Sequence, residues 1–213
     1  MYNIILLDLD GTLTDPGIGI TNSVKYALEK WNIKVEDRSE LYKFIGPPLV
    51  DAFQEYYGFS EEKGKKALAF YREYFSEKGL FENELYEGTM AFLETLKAMG
   101  KSIVLATSKP EKYAVKILKH FGIHDYFDFI SGATMDETRN KKEDVIEYAI
   151  ENFGIKDVTK ALMVGDRKHD VLGAKKFGID SVGVLYGYGS LTELKEAGAT
   201  YIAESVEDII KFV

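Results

Sequence analysis

The stretch Leu6-Leu7-Asp8-Leu9-Asp10-Gly11-Thr12-Leu13-Thr14 decides the fold of this chain, because it joins an apolar strand to two carboxylates and a turn. The run from Asn3 to Leu7 is rich in Ile and Leu, which is typical of a strand buried on both faces of a parallel sheet. Residues i and i+2 at a strand end project to the same side, so Asp8 and Asp10 can converge on one ligand atom. Their mutual repulsion calls for a divalent cation or a shared proton, while Gly11 lets the backbone turn away.

Composition limits the classes of function that are open to the chain. Its 213 residues allow one large domain or a core with a smaller insertion, and 46% hydrophobic residues suffice for a sizeable core. The net charge of -8 argues against nucleic acid or an anionic membrane as a partner. The absence of cysteine excludes disulfides, thiolate nucleophiles and cysteine zinc sites. With no leader-like segment and no long apolar stretch, we expect a cytoplasmic protein.

From residue 86 onward, short apolar runs alternate with helical periodicity, and glycine follows several of the helical stretches. The predicted strands after the first one cover residues 102–107, 127–131, 161–164, 181–185 and 201–203. The predicted helices cover residues 90–99, 112–121, 143–153, 169–177 and 191–197. This alternation predicts an α/β fold built on a doubly wound parallel sheet.

Residues 15–85 differ, because helical periodicity persists there without a strand-like run. We interpret this stretch as a small α-helical domain inserted after the first strand, so that residues 1–14 and 86–213 form the core. Insertions are accepted at exposed loops, and this loop follows the carboxylate pair, so we expect the inserted domain to act as a cap over the site. Its many aromatic residues are interpreted as its own hydrophobic core, with stacking on a ligand ring as the alternative.

Four separated segments fall where a doubly wound sheet gathers ligand-binding groups. Besides residues 8–12, they are Ala106-Thr107-Ser108-Lys109-Pro110, Lys141-Lys142, and Val164-Gly165-Asp166-Arg167-Lys168-His169-Asp170. Hydroxyls and free amides at a helix start suit a phosphate group, which makes the second segment a candidate phosphate site. Carboxylate oxygens without histidine or cysteine clusters favour Mg²⁺ over Zn²⁺ as the metal.

In order, and over the full length of the chain, these segments resemble the four motifs of haloacid dehalogenase (HAD) superfamily phosphatases. The resemblance implies a Rossmann-like core with a helical cap, and hydrolysis of a phosphomonoester through an aspartyl-phosphate intermediate. In that family the first aspartate, here Asp8, is the nucleophile. The second, here Asp10, acts as general acid and then as general base. Asp10 favours a phosphatase, because the related dehalogenases lack this acid and the phosphate-pumping ATPases have threonine there.

The resemblance also implies which residues would bind Mg²⁺. The Asp8 carboxylate, the Asp10 main-chain carbonyl and the Asp166 carboxylate would be ligands. Asp170 would support the ion through water or from outside its coordination sphere. From the residues alone, Asp170 could instead cap a helix or pair with Lys168.

The phosphate would be held by other residues. The resemblance implies that Thr107, with the Ser108 amide, holds the phosphoryl oxygens, and that Lys142 neutralises both the nucleophile and the phosphate. Lys142 is preferred to Lys141 because the Lys-x-Asp-Val-Ile arrangement that it begins resembles the third motif. A phosphomonoester dianion repels an attacking carboxylate, so positive charge between the two is required on physical grounds as well.

The expected substrate is a small phosphorylated metabolite. The segments 44–49 (Phe-Ile-Gly-Pro-Pro-Leu) and 185–190 (Leu-Tyr-Gly-Tyr-Gly-Ser) resemble the 5′-nucleotidase-like branch, whereas Thr-Ser-Lys-Pro at 107–110 is also similar to phosphoglycolate phosphatases. We prefer the nucleotide branch, with phosphoglycolate, a sugar phosphate or a phosphomutase reaction as alternatives. A phospho-accepting regulatory module is the alternative from another class, although it would need no cap and no acid two residues after its acceptor. We expect a monomer or weak homodimer.

Overall fold

The computed structural model describes residues 1–213, and the chain divides into two compact units. Met1–Thr14 with Leu85–Val213 form the first, which we call the core unit, and Asp15–Glu84 form the second, the helical unit. The strands are β1 (Ile4–Leu7), β2 (Thr14–Asp15), β3 (Glu84–Leu85), β4 (Ser102–Pro110), β5 (Phe129–Ala133), β6 (Ala161–Gly165), β7 (Asp180–Val184) and β8 (Tyr201–Ala203). The α-helices are α1 (Gly17–Glu29), α2 (Leu49–Tyr57), α3 (Glu61–Tyr74), α4 (Thr89–Ala98), α5 (Glu111–His120), α6 (Lys142–Ala149), α7 (Lys168–Lys176) and α8 (Leu191–Ala197).

The core unit contains a six-stranded sheet with strand order β5-β4-β1-β6-β7-β8, and all of its strand pairs are parallel. The predicted α/β class with a doubly wound parallel sheet is therefore confirmed. In the central register, Leu7 lies opposite Leu105 on one side and Val164 on the other. The chain progresses outward from β1 to β4 and β5, then returns to the other side of β1 with β6. Ligands of such sheets bind at the carboxyl ends of the strands beside this switch point.

The strands are formed by residues that are buried on both faces of the sheet. Ile5, Leu6 and Leu7 are each fully buried, as expected for the apolar run that begins the chain. Leu6 belongs to a cluster that also includes Met163 from β6 and Ile146 from α6. Each such side chain contributes on the order of 1.5–3 kcal/mol through its burial. This packing fixes β1 at the centre of the sheet, and it fixes the position of the residues that follow.

The helical unit contains α1, α2 and α3, and its aromatic residues pack on one another. The rings of Phe44 and Phe53 lie 5.1 Å apart, and those of Trp31 and Phe59 lie 5.2 Å apart. Phe44, Phe53 and Phe59 are buried. The interpretation of these three phenylalanines as the unit's own core is confirmed. The sequence pattern did not predict β2 and β3, because two residues are too few to show a periodicity.

Besides β5, which covers Phe129–Ala133 where residues 127–131 were predicted, two elements of the core unit differ by more than one residue from the predicted boundaries. β4 continues beyond the predicted end to Pro110, with an irregular register between Thr107 and Pro110. The predicted helix over residues 143–153 is α6 followed by a π-helical turn, Ile150–Gly154. Apolar periodicity does not distinguish these cases, because both depend on how the backbone hydrogen bonds are paired. The irregularity in β4 falls on the predicted Thr107-Ser108 phosphate segment.

Candidate active site

The candidate site lies at the carboxyl ends of three neighbouring strands, where β1 is flanked by β4 and β6. Asp8 directly follows β1, and its backbone N–H donates to the Val164 carbonyl at 3.0 Å. Thr107 lies in the last part of β4, and Asp166 directly follows β6. The central register of the sheet therefore brings three of the four predicted segments to one edge.

A tight turn follows β1 and shapes the site. The Gly11 N–H donates to the Thr14 carbonyl at 2.8 Å, and the Leu13 N–H donates to the Leu9 carbonyl at 2.9 Å. Gly11 has a φ of 82°, which favours glycine. A Cβ atom at this position would also lie 2.2 Å from Asp166 Oδ2. Gly11 is therefore required both by the turn and by the approach of a carboxylate from β6.

Asp8, Asp166 and Asp170 form a buried carboxylate cluster. One oxygen from each lies within 4.8 Å of the others. Burial, and then repulsion from Asp170 and Asp8, raise the pKa of Asp166 well above its usual value. Burial also raises the pKa of Asp170 to about 6, although Lys142 opposes this shift. Asp166 Oδ1 is buried and accepts no hydrogen bond.

This cluster fits a hard divalent cation. All of its side-chain donors are carboxylate oxygens, which is the ligand type that Mg²⁺ prefers. The raised pKa of Asp166 indicates that keeping its carboxylate ionised beside Asp8 and Asp170 costs free energy unless positive charge is added. The free Oδ1 of Asp166 also offers a ligand atom that no protein group uses.

Lys142 is the buried cation of the cluster. Its Nζ lies 2.7 Å from Asp8 Oδ1 and 2.7 Å from Asp170 Oδ1, and it donates to the Ala106 carbonyl at 3.0 Å. These contacts match the three N–H donors of an ammonium group. Burial alone would lower the pKa of Lys142, but Asp170 and Asp8 outweigh it and raise the pKa above its usual value. Lys141, the alternative in the sequence, is exposed.

Asp10 forms a second ion pair, which the sequence reasoning missed. Lys109 Nζ lies 2.7 Å from Asp10 Oδ2, and the side chains are 4% and 13% exposed. Burial raises the pKa of Asp10, while Lys109 opposes the shift. The sequence indicates Lys109 only as part of the strand-end segment at 106–110. The signal that could have found it is its place two residues after Thr107, at the edge that also carries Asp10.

The predicted phosphate ligands differ in their surroundings. Thr107 is buried, and its hydroxyl oxygen accepts from the Lys109 N–H at 3.2 Å, which leaves the hydroxyl proton for another acceptor. Ser108 is half-buried at the same strand end. Asp170 accepts from the Arg167 N–H at 3.0 Å while contacting Lys142. It therefore caps its helix and joins the cluster at once, and it pairs with Lys142 rather than with the alternative partner Lys168.

Fold and site together define an α/β enzyme that acts on phosphorylated substrates. The chain belongs to the haloacid dehalogenase-like hydrolases, a family that matches residues 5–184, and it is a phosphatase of that family. The resemblance seen in the four sequence segments is therefore confirmed. None of its helices is both long and apolar enough to span a bilayer.

Several known proteins are similar to this chain over nearly its whole length. It is 43% identical to a 5′-nucleotidase of Pseudomonas aeruginosa, over 94% of this chain and 90% of that protein. It is 36% identical to the tyrosine-protein kinase PtkA of Mycobacterium tuberculosis, over 95% of this chain and 68% of PtkA. A crystal structure described as a predicted phosphatase from Clostridium acetobutylicum superposes with a TM-score of 0.97 at 52% identity, covering 100% of this chain and 98% of that one.

Proposed function

We propose that this phosphatase is a Mg²⁺-dependent phosphomonoester hydrolase that forms an aspartyl-phosphate on Asp8 and acts on nucleoside 5′-monophosphates. The observation that carries the chemistry is the buried contact between Asp8 and Lys142, at 2.7 Å, beside the free carboxylate oxygen of Asp166. The contact holds the nucleophile in place, and both groups lie at the switch point of the sheet. The substrate rests on the likeness to a protein named 5′-nucleotidase.

In the proposed reaction, the Asp8 carboxylate attacks the phosphorus atom and the bond to the ester oxygen breaks. Asp10 donates a proton to that leaving oxygen and then accepts one from the water that hydrolyses the aspartyl-phosphate. The raised pKa of Asp10 favours the protonated form needed at the start. Thr107 and the Ser108 amide hold the phosphoryl oxygens.

Positive charge around the phosphoryl group has two proposed sources. Lys142 contacts the nucleophile and would also neutralise a phosphoryl oxygen. Asp8, Asp166 and the Asp10 main-chain carbonyl would hold Mg²⁺, with Asp170 in support. When bound, Mg²⁺ would offset the negative charge shared by the carboxylates and the phosphate. Most of the proposed rate acceleration comes from this electrostatic stabilisation and from positioning.

We also propose that the helical unit, Asp15–Glu84, is a cap that selects the substrate. Its insertion directly after the turn that carries Asp8 and Asp10 supports this role. The catalytic groups named above all belong to the core unit, so selectivity among phosphomonoesters has to come from additional groups.

A substrate screen tests the proposal. With Mg²⁺ present, we expect kcat/KM for nucleoside 5′-monophosphates to exceed that for phosphoglycolate, sugar phosphates and pyrophosphate by roughly tenfold or more. Phosphate release is the measurement, and Asp8→Asn protein gives the background. A preference for phosphoglycolate or a sugar phosphate would overturn the nucleotide assignment. Transfer of phosphate from ATP to a tyrosine peptide, without release to water, would overturn the hydrolytic proposal.

Thermal melting of the protein with and without Mg²⁺ tests the proposed metal site in the absence of substrate. Adding Mg²⁺ to about 100 times its Kd should raise the Tm of metal-free protein by roughly 5–10 °C, because the ion binds only the folded state. From the Mg²⁺ dependence of Tm, we expect Asp166→Asn to bind Mg²⁺ at least about tenfold more weakly than the unchanged protein. In metal-free buffer the same variant should melt no lower than the unchanged protein, because neutral asparagine avoids the burial and the repulsion from Asp170 and Asp8 that raise the pKa of Asp166. Glu151→Gln, at an exposed position, is the matched control. An unchanged Mg²⁺ response in Asp166→Asn would contradict the metal assignment.

A further inference from the structure

We infer that the loop Tyr186–Ser190, between β7 and α8, positions the Asp166 carboxylate for the cation. This inference rests on the proposed function and extends it to a segment outside the four motifs. By sequence alone, this segment stands out only through its resemblance to the 5′-nucleotidase-like branch of the family. In the structure it lies against both the turn after β1 and the residue that follows β6.

The central contact is made by the backbone of the loop. The Tyr188 N–H donates to Asp166 Oδ2 at 2.7 Å, which is at the short end of the range for an amide donor. Asp166 is fully buried, and its other oxygen, Oδ1, accepts no hydrogen bond. The amide therefore occupies one oxygen and fixes the rotation of the carboxylate. The second oxygen is left for the ion.

The loop is held on either side of this amide. The Tyr186 hydroxyl donates to the Thr12 carbonyl at 2.9 Å, and the Tyr186 ring packs edge-on against Tyr86 with 4.9 Å between the ring centroids. At the other end, the Ser190 hydroxyl accepts from the Glu193 N–H at 3.1 Å and caps α8. With both ends fixed, the Tyr188 amide has little freedom to move away from Asp166.

Two glycines allow the loop to approach so closely. A Cβ atom at Gly187 would lie 2.3 Å from the Gly11 carbonyl oxygen and 2.4 Å from Asp166 Cβ. A Cβ atom at Gly189 would lie 1.9 Å from the Asp166 carbonyl oxygen. These neighbours include backbone atoms, which cannot move aside at low cost. By contrast, a Cβ atom at Gly178, after α7, would meet no heavy atom within 4 Å.

A positioning role differs measurably from a connecting role. If the loop merely joins β7 to α8, substitutions in it would change the stability of the metal-free protein. They would have no separate effect on the affinity for Mg²⁺. A loop that orients a metal ligand changes the Mg²⁺ affinity, typically by about 10–100-fold when such an outer partner is removed. The Mg²⁺ dependence of Tm separates the two, because each variant's metal-free Tm serves as its own reference.

The sharpest test compares two substitutions at one position. Both Tyr188→Pro and Tyr188→Ala remove the ring, but only proline removes the N–H that contacts Asp166. We expect Tyr188→Pro to bind Mg²⁺ at least about tenfold more weakly than Tyr188→Ala, measured from the Mg²⁺ dependence of Tm and by calorimetry. Equal affinities in the two variants would overturn the inference.

Milder changes cover the case in which Tyr188→Pro does not fold. Tyr186→Phe removes only the hydroxyl that donates to Thr12, and we expect its Mg²⁺ affinity to fall about threefold or more. Gly178→Ala, which strains a left-handed residue far from any side chain, should lower Tm while leaving the Mg²⁺ affinity unchanged. If Tyr186→Phe binds Mg²⁺ as tightly as the unchanged protein, the positioning role of the loop is wrong. It is also wrong if Gly178→Ala loses as much Mg²⁺ affinity as Tyr186→Phe.

The same titration distinguishes failure of this inference from failure of the proposed function. If the unchanged protein binds Mg²⁺ and the loop variants bind it equally well, the loop has no positioning role and the proposed function stands. If the unchanged protein shows no Mg²⁺ binding by either measurement, the metal assignment itself is wrong, and the role of the loop toward the ion is wrong with it.

Discussion

Replacing Asp8 by Asn is expected to reduce phosphatase turnover by a factor of about 10⁴ or more. Asparagine has nearly the same shape as aspartate, but its amide is a poor nucleophile and cannot form the aspartyl-phosphate. The loss should therefore appear in kcat with every phosphomonoester, whatever its leaving group. Phosphate release under saturating Mg²⁺ and substrate measures it.

The control for this substitution is Asp125→Asn, because the Asp125 side chain is fully exposed on the surface. It should leave kcat unchanged, which excludes a general effect of losing one negative charge. Rapid acid quenching should recover a phosphorylated protein from the unchanged enzyme, and none from the Asp8→Asn variant. Turnover within tenfold of the unchanged enzyme would rule out Asp8 as the nucleophile.

Replacing Lys142 by Met is expected to reduce both activity and stability. The substitution leaves Asp8 and Asp170 buried without the ammonium that lies 2.7 Å from each of them. Removing one partner of a buried ion pair costs about 3–5 kcal/mol in the free energy of unfolding. Loss of the same charge from the proposed transition state should lower kcat/KM by about 10²–10³. Urea unfolding in metal-free buffer and phosphate release are the two measurements.

Lys141→Met provides the matched control, because Lys141 is the neighbouring residue, carries the same charge and is exposed. Its stability and kcat/KM should stay close to those of the unchanged protein. The stability deficit of Lys142→Met should be smaller at pH 5 than at pH 8. Asp170 has a pKa of about 6 even beside Lys142, so it takes up a proton in that range and loses its uncompensated charge. Equal effects of the two substitutions would contradict the assignment of Lys142.

Much of the fold of the core unit can be predicted from the sequence, because the patterns that indicate its strands and helices involve neighbouring residues. The run that ends at Leu7 predicts a buried strand from its apolar residues alone, and the switch to polar residues at Asp8 marks the strand end. Alternation of strands and helices then predicts the parallel sheet, and the sheet predicts that strand ends gather at one edge. The grouping of Asp8, Thr107 and Asp166 followed from this reasoning.

The ion pair between Lys109 and Asp10 could not be predicted from the sequence in the same way. The two residues are about a hundred positions apart in the chain, and many lysines at strand ends face solvent. Lys109 also lies in the irregular stretch of β4 between Thr107 and Pro110, which no local sequence pattern predicts. The choice between Lys141 and Lys142 is a milder case, because the two are adjacent at the start of α6 and only packing buries one of them.

The sequence by itself determined the parallel α/β class, the helical insertion and the family, because apolar periodicity and short motifs are properties of neighbouring residues. The contact of Lys142 with Asp8 agrees with the role that the family resemblance implied. Tertiary structure alone decided the other pairings, which join Lys142 to Asp170, Lys109 to Asp10, and the Tyr188 amide to Asp166. Such pairings depend on distances of a few ångströms between segments far apart in the chain. Buried charges and amides must find partners there because water cannot supply them.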